Sequence, residues 1–126
     1  MPLVLVASRT VEVRESDYDV DTSINVQRGD TLIFHAQGLI WAGVWFTGLN
    51  GPNGWPNIDP DPKFLLPSNH PYCLLGKLDT GYFFVGEYQR KDNLDDQGEL
   101  FLRINDDLPG NGSGAFTCLI QLYRNQ

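Results

Sequence analysis

Chemically versatile residues are scarce in this chain. It has two cysteines, two histidines and one methionine in 126 residues. Cys73 and Cys118 lie far apart, form no Cys-x-x-Cys pair and have no histidine at ligand spacing, which argues against zinc. Each falls within an alternating apolar stretch, so two buried free thiols are expected. A disulfide would require Cα atoms within about 7 Å of each other. Cations are few as well: nine Lys and Arg stand against sixteen Asp and Glu, for a net charge of −7 and a pI of about 4.5. The basic residues are scattered, so the clustered footprint of a phosphate-backbone binder is missing and nucleic acid is not an expected partner. No apolar run approaches the roughly 18 residues of a bilayer span, so no membrane insertion is expected. The opening Met1-Pro2-Leu3-Val4-Leu5-Val6-Ala7 is short and lacks a basic leader, so no export signal is visible. A soluble protein, cytoplasmic or released by a non-classical route, is the expectation.

Catalytic signatures are also missing. There is no Gly-x-Ser-x-Gly elbow and no hydroxyl or thiol with an evident base. His35 sits mid-strand on the face opposite Leu32 and Phe34, and His70 precedes Pro71 in a loop. The carboxylate pairs Asp59/Asp61 and Asp106/Asp107 have the residue types of glycoside hydrolysis. A chain this short offers no obvious deep cleft for them. A non-enzymatic role is expected.

What the chain does have is period-two alternation. Val11 and Val13, Ile24 and Val26, and Leu32, Phe34 and Ala36 each mark one face of a strand. Leu100, Leu102 and Ile104, then Phe116, Cys118, Ile120 and Leu122, do the same near the end. No segment carries a 3.6-residue period with caps. Arg28-Gly29-Asp30 reads as a tight turn, and Asp92 to Gly98 and Asp107 to Gly114 read as polar connections. The length suits one domain spanning residues 1–126. The expected fold is all-β: an antiparallel β-sandwich of jelly-roll type, with Leu100, Leu102, Ile104, Phe116, Ile120 and Leu122 in its core.

Two loops stand out. The stretch from Gly48 to Pro71 is rich in Gly, Pro, Asn and Asp and contains Trp55. Long loops in compact domains tend to be functional. The stretch Ile104-Asn105-Asp106-Asp107-Leu108-Pro109-Gly110-Asn111-Gly112-Ser113-Gly114 gathers carboxylates, amides and small residues. Ca²⁺ takes six to eight oxygens from such groups and from backbone carbonyls, at about 2.3–2.6 Å. A plain polar connection between strands would have the same composition.

The run Gly98-Glu99-Leu100-Phe101-Leu102-Arg103-Ile104-Asn105-Asp106, the loop after it, and Ser113-Gly114-Ala115-Phe116 resemble the end of the LecA-like (PA-IL-type) bacterial galactose-binding lectins. Further matches follow in order: Val26-Gln27-Arg28-Gly29-Asp30-Thr31-Leu32, Ala36-Gln37-Gly38, Gly51-Pro52-Asn53-Gly54 and Cys73-Leu74-Leu75-Gly76-Lys77-Leu78. The resemblance spans nearly the whole chain. It implies a small β-sandwich that binds carbohydrate, with Ca²⁺ bridging protein and sugar hydroxyls. Carried over residue by residue, Asp106 and Asn111 match side-chain ligands of the ion and Ala42 a carbonyl ligand. Asp107 could add an oxygen.

The chain also departs from that pattern. The loop after Asp106 is shorter, and Gly112 stands where a second Asn is expected. The family's His-Pro-Asp-Gln contact stretch becomes Asp59-Pro60-Asp61-Pro62. Asp59 and Asp61 are the sugar-contact candidates at that place, and Trp55 is the preferred aromatic platform. Trp41 and Trp45 are expected in core or interface packing. Calcium is expected to bind more weakly than in the galactose-specific relatives. Gly112→Asn is expected to tighten it, provided the loop backbone has room. The expected function is a lectin-like, carbohydrate-binding module with a galactose-like ligand and homo-oligomerisation both left open. The alternative is an interaction or assembly domain on the same fold that has lost the sugar site.

Overall fold

A computed structural model describes residues 2–56, 62–106 and 109–126. Among them are eight strands and no helix: β1 (Leu3–Arg14), β2 (Val20–Val26), β3 (Thr31–Trp41), β4 (Leu74–Leu78), β5 (Gly81–Phe84), β6 (Tyr88–Lys91), β7 (Gly98–Ile104) and β8 (Ser113–Asn125). The first sheet runs β1-β8-β3-β6 and the second β2-β7-β4-β5. Every pairing is antiparallel. The two sheets form the sandwich that the alternation predicts, because each strand has one apolar face to hide.

The core lies between the sheets. Leu100, Leu102 and Ile104 of β7 and Phe116, Ile120 and Leu122 of β8 are all at most 2% exposed. Ile24, Leu32 and Phe34 join them in one cluster. Burying each such side chain contributes roughly 1.5–3 kcal/mol. Cys73 and Cys118 are buried and unbridged. Burial pushes both thiols up to about 12, against smaller opposing hydrogen bonds from Asn105 to Cys73 and from the His35 backbone to Cys118. Neither is a thiolate nucleophile at neutral pH.

The turn at Arg28-Gly29-Asp30 carries the chain from the second sheet to the first. Gly29 has φ +92°, a left-handed conformation that favours glycine. Asp30 closes the turn: its N–H donates to the Gln27 carbonyl at 3.1 Å, and its Oδ2 accepts the Gln27 N–H at 2.8 Å. The Asp30 side chain is 1% exposed and takes two hydrogen bonds from Arg124 of β8, at 2.8 and 2.9 Å. Burial by itself raises the carboxyl pKa. The Arg124 hydrogen bonds, the Gln27 N–H and the Arg124 charge outweigh it and hold Asp30 below its ordinary value.

A carboxylate whose pKa is depressed on folding stabilises fully above its unfolded value, about 3.9, and loses that contribution as pH falls through the folded value. Acid unfolding of the parent is therefore expected to steepen below about pH 4. Asp30→Asn should be less stable at neutral pH and show a flatter acid limb. Urea denaturation across pH checks both.

Candidate functional site at the loop end of the sandwich

β3 ends at Trp41 and feeds a closed loop. Ile40 and Asn50 exchange both backbone hydrogen bonds, at 2.9 and 2.8 Å, and so fix the ends of the loop. Inside it, the Val44 carbonyl accepts the Thr47 N–H at 3.0 Å, the Thr47 hydroxyl at 2.8 Å and the Trp41 indole N–H at 3.1 Å. The Asn50 amide donates to the Thr47 and Gly48 carbonyls, each at 3.3 Å. The polar groups turn inward and the apolar side chains are left outside. Trp45 is 85% exposed, Leu49 65% and Phe46 59%. Trp45 meets Phe46 edge to face with centroids 5.7 Å apart, and Phe46 meets Trp55 the same way at 5.7 Å. Single exposed apolar residues are ordinary, whereas large contiguous apolar patches tend to coincide with interaction sites.

The tryptophans are placed differently from one another. Trp41 is half-buried and spends its indole N–H inside the loop, in keeping with a packing role. Trp45 is not packed in the core. Alternation gives no information past the end of β3, so a Trp there could not be assigned a face. Trp55, the preferred platform, is half-buried against the core, and its backbone N–H donates to the Pro71 carbonyl at 2.8 Å. It backs Phe46, and Trp45 is the outermost ring.

The loop between β7 and β8 meets the start of the loop after β3, at Trp41 and Gly43. Its root is Asn105, fully buried, which accepts the Leu66 N–H at 3.0 Å and donates to the carbonyls of Leu66 at 3.1 Å and His70 at 3.2 Å. Asn105 thus staples the long loop to the end of β7. Asp106 follows and is 2% exposed. Further along, Asn111 is exposed but its backbone lies against Gly43. A Cβ on Gly43 would stand 2.5 Å from the Asn111 carbonyl oxygen and 2.6 Å from its Cγ. Ala42, beside it, is 1% exposed. The structure therefore brings Gly43, next in the chain to Ala42, against Asn111, and sets Asp106 at the root of the same loop, while Trp55 belongs to the ring row with Phe46 and Trp45. Asp59, Asp61 and Asp107 lie outside the described residues.

Glu15 was not singled out from the sequence. It is 2% exposed, just past β1, and one carboxylate oxygen accepts the N–H groups of Gly110 and Gly112, each at 3.0 Å. This carboxylate holds the β7–β8 loop in shape. The signal was available: Val11, Val13 and Glu15 continue one inward row, and a carboxylate in such a row needs a partner. Gly112 explains the closeness of the loop to β3. A Cβ there would lie 1.8 Å from the Trp41 carbonyl oxygen and 2.8 Å from the Gly43 nitrogen. The proviso for Gly112→Asn, room in the loop, is not met. The obstacle is backbone proximity rather than a positive φ.

Among the described residues, no three His, Cys, Asp or Glu side chains stand together as a metal site. An ion here would lean on mixed oxygens: the Asp106 carboxylate, the Asn111 amide and the Ala42 carbonyl. These are hard donors of the kind Ca²⁺ takes.

No family model matches the chain, and no curated protein matches it. Among solved structures it is similar to one described as "EclA N-terminal domain; PllA-like lectin", with a TM-score of 0.72 and 21% identity over 96% of this chain and 98% of that one. The likeness is of fold: this chain has the β-sandwich architecture of that domain. Among the described residues no helix is long and apolar enough to cross a membrane.

Proposed function

We propose that the protein is a non-catalytic, lectin-like module that binds carbohydrate at the loop end of the sandwich. The observation that carries this reading is the exposed Trp45–Phe46 pair, braced by Trp55, on the loop whose Gly43 lies against Asn111. An aromatic ring held in place offers its face to the C–H side of a pyranose, while neighbouring oxygens serve the hydroxyls. The resemblance to LecA-like lectins and the shared fold with a PllA-like lectin domain support the same reading.

Calcium belongs to this proposal. Asp106, Asn111 and Ala42 would hold it, with Asp107 as a further oxygen. The ion would supply coordination positions for vicinal sugar hydroxyls. Two buried carboxylates adjoin this loop, Glu15 through its hydrogen bonds to Gly110 and Gly112 and Asp106 at the loop's root. Burying charge in this way costs free energy that a cation offsets. With few protein oxygens available, the expected affinity is weak, with a Kd on the order of 10⁻⁴–10⁻³ M. Calorimetric titration of calcium into the parent should show that affinity, and Asp106→Ala should show none while keeping its far-UV spectrum.

The rival reading is an assembly module. In its favour, Leu3, Val4, Leu5 and Val6 are each 40–47% exposed on β1, an edge strand. Exposed apolar edges pair with other edges. If the parent binds neither calcium nor sugar, the assembly reading replaces the lectin reading.

A further inference from the structure

The outer face of the first sheet carries a second feature, away from the aromatic ledge. Strand register places Thr10 opposite Leu119, Leu119 opposite His35, and His35 opposite Tyr88. Residues paired across antiparallel strands share a face, so these four form one row across all four strands. The neighbours Phe34, Cys118 and Ile120 are buried, which fixes this row as the outward one. The next row runs Glu12, Thr117 and Gln37 and then stops, because β6 begins at Tyr88. The sheet loses its fourth strand at that point. A groove of about 520 Å³ opens there, with Leu119 and Thr117 among its lining, Tyr88 and Thr10 across its width, and Gln37 and Glu87 further along.

We propose that this groove is a second, calcium-independent binding site for a neutral oligosaccharide. Four observations carry it. First, the Tyr88 ring is 54% exposed yet held edge to face by His35 at 4.9 Å, so it is exposed and oriented. An oriented phenol ring suits the C–H face of a pyranose, and Leu119 extends the apolar surface.

Second, the polar groups match sugar hydroxyls, which both donate and accept. The Gln37 amide and the Thr10 and Thr117 hydroxyls do both, and the Glu87 carboxylate accepts. Third, the charge is selective. The lining holds Glu87 and no Lys or Arg, which disfavours phosphorylated or sulfated ligands. Fourth, the groove is preformed. β3 and β8 pair from Thr31 to Trp41. Glu87 is tied at both ends of its peptide, its N–H to the Asn53 side chain at 2.9 Å and its carbonyl to the Ala36 N–H at 2.8 Å. The volume falls within the ordinary range of small-ligand sites, about 300–1,000 Å³.

This site stands apart from the loop-end proposal and needs neither Trp45 nor calcium. The test is a backbone amide NMR titration of the full chain in EDTA. The probes are cellotriose, maltotriose and a β-1,4-galactotriose, with a sulfated heparin tetrasaccharide as the anionic control. At least one neutral probe should give saturable shifts at Gln37, Thr117 and Leu119. Tyr88→Ala should weaken that binding about tenfold, the loss of one stacked ring. Gln37→Ala, an exposed substitution, should weaken it too, and Trp45→Ala should leave it unchanged. The proposal is overturned if no neutral probe shifts these amides, or if the shifts survive both Tyr88→Ala and Gln37→Ala. It is equally overturned if the sulfated probe binds there, or if sedimentation with cross-linking shows this face covered by a second copy. Failure at the loop-end site would show separately, in a parallel titration with calcium in place of EDTA, as an absence of shifts at Gly43 and Asn111.

Discussion

Gly112→Asn is expected to destabilise the protein by about 3 kcal/mol rather than to improve a calcium site. By resemblance to LecA-like lectins, Asn would add a ligand at this position. The geometry forbids it: a Cβ would lie 1.8 Å from the Trp41 carbonyl oxygen. Neither partner can give way cheaply. Trp41 pairs with Ser113 at the end of the β3–β8 ladder, and the Gly112 N–H is held by Glu15 at 3.0 Å. The shorter loop after Asp106 has been drawn onto β3, and Gly112 is the residue that lets the two backbones touch. Gly110→Ala is the control. It has φ +99° but nothing within 4 Å of the added Cβ, so its cost should be only about 1 kcal/mol. Urea denaturation of the three proteins measures the difference. Equal stability of the parent and Gly112→Asn would show that the loop does not pack as described.

Glu15→Ala should cost a similar amount, about 3 kcal/mol, because it strands two N–H groups that now share a charged acceptor. The cost should be local as well as global. Gly110 and Gly112 lose the hydrogen bonds that shape their loop, so amide exchange should rise at Gly110 and Gly112 before the strands open. Glu15→Gln keeps an acceptor and should recover part of the stability. Unchanged exchange at Gly110 and Gly112 in Glu15→Ala would remove Glu15 from the account.

The strands were legible in the sequence because alternation reports directly on a half-buried strand. Phe116, Ile120 and Leu122 needed only their spacing to be placed in the core. The two loops were legible as places but not as arrangements. Composition marks the region around Trp55 and Asn111, yet nothing in it says that Trp45 would face solvent. That follows from the Ile40–Asn50 closure and the Val44 carbonyl, which are contacts between residues with no period. The β3 end touches the β7–β8 loop across a sequence separation of about 70 residues, as the approach of Trp41 to Gly112 shows. Only the folded chain reveals that Gly112 is a packing requirement and not a vacant ligand position. Glu15 lies just past the end of β1, and its burial depends on the loop it holds.

The most direct measurement of the central claim is glycan-array binding of the parent and Trp45→Ala in calcium. Trp45 is 85% exposed, so its removal should leave stability within about 0.5 kcal/mol of the parent. The account predicts that the parent binds a defined set of neutral glycans and that Trp45→Ala, equally folded, loses about tenfold or more on them. Undiminished binding by Trp45→Ala, or no glycan bound by the parent, would contradict it.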